Sequence, residues 1–135
     1  MLEFELDVRR GSFHLDVQCR LTCEWTVIFG PSGAGKSTLL RLLAGLDRAR
    51  NGELARGRVA FDEQVFTDSA RGVWVRPGRR QSGMVAQQPA LFPHLSAAAN
   101  VAYGLAGWER AKRAARVNEM LELAGATELA ARSPA

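Results

Sequence analysis

Residues 30–37 read Gly-Pro-Ser-Gly-Ala-Gly-Lys-Ser, and the pattern G-x-x-x-x-G-K-[ST] leaves little freedom to the fold around it. Such an octapeptide works as the connection between a strand and a helix. The flanks match that demand. Trp25-Thr-Val-Ile-Phe29 is a short apolar run that predicts a buried strand, and Ser37-Thr-Leu-Leu-Arg-Leu-Leu-Ala44 predicts a helix starting at Lys36, ending near Ala44 and stopped by Gly45. Gly30, Gly33 and Gly35 can take backbone angles closed to other residues, so the loop can turn its amides inward around an anion, aided by the positive end of the helix. Lys36 then supplies a point charge to the terminal phosphates of a nucleotide, and the Ser37 hydroxyl can ligate Mg²⁺. Gly30, Pro31, Ser32, Gly33, Ala34, Gly35, Lys36, Ser37 and Thr38 are therefore the candidate nucleotide-binding residues.

Elsewhere in the first ninety residues, strands and turns alternate. Leu2, Phe4, Leu6 and Val8 alternate with polar residues, as do Phe13, Leu15 and Val17, with Arg10-Gly11-Ser12 between them; this predicts an antiparallel hairpin. Arg48–Gly52 reads as a turn, Arg58–Phe61 and Gln64–Phe66 as short strands about an Asp62-Glu63 turn, and Gly83–Ala86 as another short buried strand. Val59-Ala-Phe-Asp62-Glu63 mimics an apolar strand ending in a metal-binding acid, but Arg58 at its start and the immediate return through Gln64-Val-Phe66 favour a hairpin turn. Beyond residue 90 the composition shifts. Gln87–Pro93 is irregular, Ser96 is a helix N-cap, and helices are expected near Ala97–Leu105 and Glu109–Ala124, the second with Val117, Met120, Leu121 and Leu123 at helical spacing. The fold class read from this pattern is α/β, with a phosphate-loop core over residues 1–90 and the beginning of an α-helical subdomain over 91–135.

Composition narrows the function classes. No apolar run approaches the roughly 20 residues of a membrane span, and the acidic, alternating N-terminus lacks the regions of a signal peptide, so the expected location is the cytosol. The net charge is +4. Its basic residues, among them Arg9-Arg10, Arg76, Arg79-Arg80 and Arg110–Arg116, read as a solvated surface that also attracts a polyanionic nucleotide. No basic stripe interleaved with aromatics supports nucleic-acid binding. Cys19 and Cys23 are spaced for neither a redox pair nor a zinc site, and are expected as buried or half-buried free thiols. His14 and His94 have no metal-ligand context.

These residues resemble the ATP-binding subunits of ABC transporters over essentially the whole chain. Phe29-Gly-Pro-Ser-Gly-Ala-Gly-Lys-Ser-Thr-Leu-Leu40 is the form of the loop typical of that family, and Gly83-Met-Val-Ala-Gln-Gln-Pro-Ala-Leu-Phe-Pro-His-Leu95 is similar to its Q-loop segment, with Asn100-Val-Ala-Tyr-Gly-Leu105 following. The resemblance implies ATP and Mg²⁺ as cofactors, Lys36 and Gln87 as catalytic residues, and Ser37 and Gln87 as Mg²⁺ ligands. It also implies a permease-facing surface at Leu91-Phe-Pro-His94. Phe13 falls where the family places an aromatic that stacks on adenine; ordinary strand packing explains it almost as well. Ala86 and Gln88 depart from the aromatic and acidic residues common at those places.

Within the family, Asp68–Arg80 with its Pro77-x-x-Arg80 pattern is similar to importer ATPases for oxyanions, especially molybdate, with sulfate, polyamine and ferric-iron importers as alternatives. A non-transport ATPase of the same superfamily is a further alternative. The implied whole protein is a homodimer seated on transmembrane permease subunits at the inner face of the plasma membrane, closing two ATP molecules between its copies. The family's signature Leu-Ser-Gly-Gly-Gln, its Asp-Glu pair and its switch histidine do not occur here. The expectation is therefore an N-terminal part of a larger ATPase, marginally stable alone, that binds ATP weakly and does not turn it over.

Overall fold

The computed structural model of the chain describes residues 1–47, 54–88 and 90–134, the side chains of 54–56 aside; the expected turn at Arg48–Gly52 lies outside the described residues. The chain forms two compact units, Met1–Val85 and Ala86–Ala135.

The first unit is built on a hairpin. Strand β1 (Leu2–Arg10) pairs antiparallel with β2 (Phe13–Leu21), joined through Gly11 at a φ of 57°. The register sets Phe4 opposite Cys19, Leu6 opposite Val17 and Val8 opposite Leu15, so the apolar residues of both strands share one face. Three further strands extend the sheet: β3 (Leu54–Phe61), β4 (Gln64–Asp68) and β5 (Val73–Trp74), in the antiparallel order β2-β1-β3-β4-β5. The Asp62-Glu63 turn between β3 and β4 is present, with Asp62 at a φ of 49°. Helix α1 (Lys36–Leu43) lays Leu39 and Leu42 on the apolar face, closing a core with Phe4, Leu6, Val8, Val59 and Phe66. On the other face Glu3 pairs with Arg20 and, at 3.5 Å, with Arg58.

The C-terminal end of α1 follows from its sequence. Gly45 at a φ of 72° donates to the Leu42 carbonyl at 3.1 Å, and Leu46 donates to that of Arg41 at 2.9 Å. This is the double closure that glycine permits after a helix.

Two expected strands do not form. Trp25–Phe29 has no regular structure and is unpaired: Trp25 is 90% and Phe29 98% exposed. Gly83–Ala86 likewise has no regular structure, and Val85 is 98% exposed. An apolar run becomes a strand only when a neighbour takes up its backbone groups, and among the described residues none pairs with either segment. Two smaller expectations also fail. Cys23 is exposed because it sits at the start of this unpaired stretch, whereas Cys19, on β2, is half-buried. Arg80 is not a solvated surface residue but is 2% exposed.

The second unit contains α2 (Ala97–Tyr103) and α3 (Arg110–Leu123). Ser96 caps α2 by accepting from the Ala99 amide at 3.2 Å. The amides of Ala97 and Ala98 donate to the carbonyls of Arg132 and Ala130, and Arg113 of α3 donates to the Ala102 carbonyl at the far end of α2. Val117 and Leu121 are the buried positions of α3. No helix among the described residues is long and apolar enough to cross a membrane.

Candidate nucleotide-binding loop

The stretch entering α1 has the expected glycine geometry at Gly33 and Gly35 but not at Gly30, which does not take a left-handed angle. Gly33 and Gly35 sit at φ values of 82° and 90°, a region costly for any residue with a Cβ. Gly35 is the N-cap. Leu39 donates to the Gly35 carbonyl at 2.8 Å, closing the first turn, so the amides of Lys36, Ser37 and Thr38 precede the helical ladder and have no intrahelical acceptor. A run of such amides at the positive end of a helix is a site for an anion. Ser32, Gly33, Ala34 and Ser37 are exposed, Gly30, Gly35, Lys36 and Thr38 half-buried.

The Lys36 ammonium folds back over this loop, donating to the carbonyls of Gly30 at 2.9 Å and Pro31 at 2.7 Å. The charge thus sits at the mouth of the loop and is held there by the loop itself.

Phe13 comes to the loop as well. A Cβ added to Gly35 would lie 2.8 Å from Phe13 Cζ, so the ring, half-buried at the start of β2, packs against the N-cap. Gly35 is therefore required twice, for its backbone angle and for this close approach. Gln87 is exposed and belongs to the second unit, in the irregular stretch before Leu91. Phe92, in the segment after Gln87, packs on Tyr103 with ring centroids 4.3 Å apart. Asn100 stitches that segment: its Oδ1 accepts from the Phe92 amide at 2.8 Å, and its Nδ2 faces the carbonyls of Phe92, Leu95 and Ser96. Leu91 remains 56% exposed.

Two polar anchors behind the loop escaped the sequence reading. Arg10, ending β1, forms a two-point ion pair with Asp47, just beyond α1, at 2.9 and 3.0 Å. Hydrogen bonding by Arg10 holds the Asp47 carboxyl below its usual range; burial opposes this, and the charges of Arg10 and Arg41 add to it. Arg80 is the second anchor. Desolvation lowers its pKa from the ordinary arginine value, and its ring contact with Phe66 is 5.5 Å from guanidinium carbon to centroid. No local sequence signal marks it: its acceptors come from α1, β4 and the residue after β5.

Residues 15–135 match the family described as ABC transporter. The chain is 40% identical over 134 residues to the molybdate/tungstate import ATP-binding protein WtpC of Archaeoglobus fulgidus, covering 99% of this chain and 51% of that protein. It is 42% identical over 125 residues to the molybdenum import ATP-binding protein ModC 1 of Azotobacter vinelandii, with 92% and 33% covered. Against ModC of Rhizobium etli it is 38% identical over 131 residues, with 97% and 36% covered. The chain thus spans between a third and a half of the length of these relatives. A phosphate loop leading into α1, an open antiparallel sheet beneath it and a match over nearly the whole sequence together place the chain in the ABC transporter family, whose fold is that of the P-loop nucleotide-binding ATPases.

Proposed function

We propose that this chain is the nucleotide-gripping part of an importer ATPase that couples ATP hydrolysis to uptake of molybdate or a related oxyanion. The observation that carries the reading is the loop itself: two left-handed glycines, three helix-start amides and a lysine ammonium all at one helix N-terminus. The cargo assignment is supported by the relatives named above, which are import proteins for molybdate, tungstate or molybdenum.

In this reading the amides of residues 33–38 wrap the β- and γ-phosphates, and Lys36 moves from the Gly30 and Pro31 carbonyls onto the terminal phosphate, where it stabilises charge as water attacks in line. Phe13, already against Gly35, offers its ring to the adenine. Mg²⁺ binds through one or two protein oxygens and substrate phosphates rather than an all-protein cage. Ser37 has an exposed hydroxyl suited to that role, and the family resemblance assigns Gln87 as a further oxygen ligand. When bound, the ion neutralises phosphate charge. Gln87 additionally has an amide donor for water. Leu91-Phe-Pro-His94 faces a transmembrane permease subunit, and two copies of the ATPase close on two nucleotides at the inner face of the membrane.

Titration with fluorescent ATP tests the loop. Saturable, Mg²⁺-dependent binding is expected, weakened in Lys36→Ala by roughly 30- to 150-fold, the loss of one charged hydrogen-bonding partner worth about 2–3 kcal/mol. Binding that is absent, or indifferent to Lys36, overturns the reading.

A further inference from the structure

Arg80 lies at the opposite end of α1 from the loop, and it is fully engaged. An arginine has five N–H donors, and here each meets an acceptor. Nε donates to the Val75 carbonyl at 2.9 Å; Nη1 faces the carbonyls of Leu43 at 2.8 Å and Leu42 at 3.4 Å; Nη2 faces Thr67 Oγ1 at 2.9 Å and the Phe66 carbonyl at 3.5 Å. Leu42 and Leu43 are the last residues of α1, at the negative end of the helix; the Leu42 carbonyl also accepts from Gly45, so Arg80 adds a second donor there and supplies a donor to the Leu43 carbonyl. Phe66 and Thr67 belong to β4, and Val75 follows β5. Among the described residues Arg80 has no carboxylate partner; helix-end and strand oxygens hold the charge instead.

The surroundings are shaped for it. A Cβ on Gly45 would come within 2.5 Å of the guanidinium carbon. Directly after Arg80 the backbone turns through Gln81 at a φ of 51°, a left-handed conformation that a side chain tolerates only at a cost.

We propose that Arg80 is a positioning residue for the nucleotide loop. By clamping the C-terminal end of α1 to β4 and to the strand exit at Val75, it fixes the axis and rotation of a helix only about 12 Å long, and so fixes where Lys36 and Ser37 stand at the other end. A planar five-donor fork is required, which a lysine cannot replace. This inference rests on the loop being the nucleotide site.

Fluorescent-ATP titration of the purified protein and four variants tests it, with hydrogen exchange read on the same samples. In Arg80→Met, ATP affinity falls roughly 10- to 100-fold, the scale of a displacement of about an ångström in a binding group. Amide exchange accelerates over residues 36–44 while the β1–β2 amides keep their protection. Arg80→Lys behaves like Arg80→Met, not like the wild type. Gly45→Ala both displaces the guanidinium and strains the left-handed helix end, so its own affinity loss does not separate the two; the Gly45→Ala/Arg80→Met double variant does, losing less than the product of the two single effects. Should Arg80→Met fail to fold, Arg80→Lys decides the matter.

Wild-type affinity in Arg80→Lys or Arg80→Met, exchange that rises equally over β1–β2, or single effects that multiply in the double variant overturns the proposal. If the wild type binds no ATP, the functional reading fails on its own, and the exchange experiment still decides whether Arg80 orders the loop.

Discussion

The β1–β2 hairpin and the Trp25–Phe29 segment both carry apolar runs and lie only a few residues apart, yet one is the centre of the core and the other lies open. The difference is where their partners come from. Each residue of β1 finds its neighbour on β2 within twenty positions, through a turn that Gly11 makes easy, and β3 covers the other edge. Phe4, Leu6 and Val8 are consequently at most 5% exposed. The 25–29 segment leads into a helix, and a strand followed by a helix pairs with a parallel neighbour reached by a crossover; none exists among the described residues. Apolar content is thus not what separates a strand from an exposed ribbon; the neighbour is.

Removing side chains on either side of this contrast gives the sharpest test. Leu6→Ala, at a 2% exposed position, should cost about 2–5 kcal/mol in urea unfolding. A loss below 1 kcal/mol would mean that the hairpin is not the core.

Irregular backbone is not always open backbone, and Asn100 sharpens the point. The 91–96 segment has no strand either, but one side-chain amide engages four backbone groups of Phe92, Leu95 and Ser96. Asn100→Ala should destabilise the second unit by about 1–3 kcal/mol, the penalty of leaving such groups without partners, read as faster amide exchange at Phe92. Unchanged exchange there would place this segment with 25–29 after all.

Asp47 ties the well-packed region to the helix end. Its carboxyl is held below the ordinary value of 3.8 by Arg10, so the unfolded chain binds the proton more readily. The pair's stabilisation is present above the unfolded pKa and disappears as pH falls through the lower folded value. Both partners are partly solvated, so Asp47→Asn should cost only about 0.5–1 kcal/mol at neutral pH, with the difference from wild type shrinking as pH falls below 3.8 and through the lower folded value. A difference that does not shrink on acidification would assign the effect to packing.

The smallest effect is expected at Phe29. With 98% of it exposed, Phe29→Ser should change unfolding stability by no more than about 0.5 kcal/mol. A loss above 1 kcal/mol would show the segment packed in solution and erase the contrast.

What was legible in the sequence divides along the same line. The hairpin, the β3–β4 turn at Asp62, the start and stop of α1, the Ser96 cap and both later helices are set by alternation, helical spacing and local hydrogen-bond chemistry, and all are where those rules put them. The loop could be read because glycine and lysine at fixed spacing have few other uses. The strands at 25–29 and 83–86 were misread because apolar runs announce burial without naming a partner. Arg80 was misread because a charge is assigned to solvent by default; nothing local reveals that five oxygens from α1, β4 and the strand exit converge on it.

The attachment of Lys36 to Gly30 and Pro31 has a selectivity consequence. Any incoming anion competes with two carbonyl oxygens that are tethered beside the ammonium and arrive without translational loss. An isolated phosphate would offer fewer oxygens in exchange, whereas a triphosphate would bring several on one chain and could engage the neighbouring amides as it displaces the carbonyls. Under the proposed function, the folded-back lysine would set a threshold that favours a polyphosphate over a small anion.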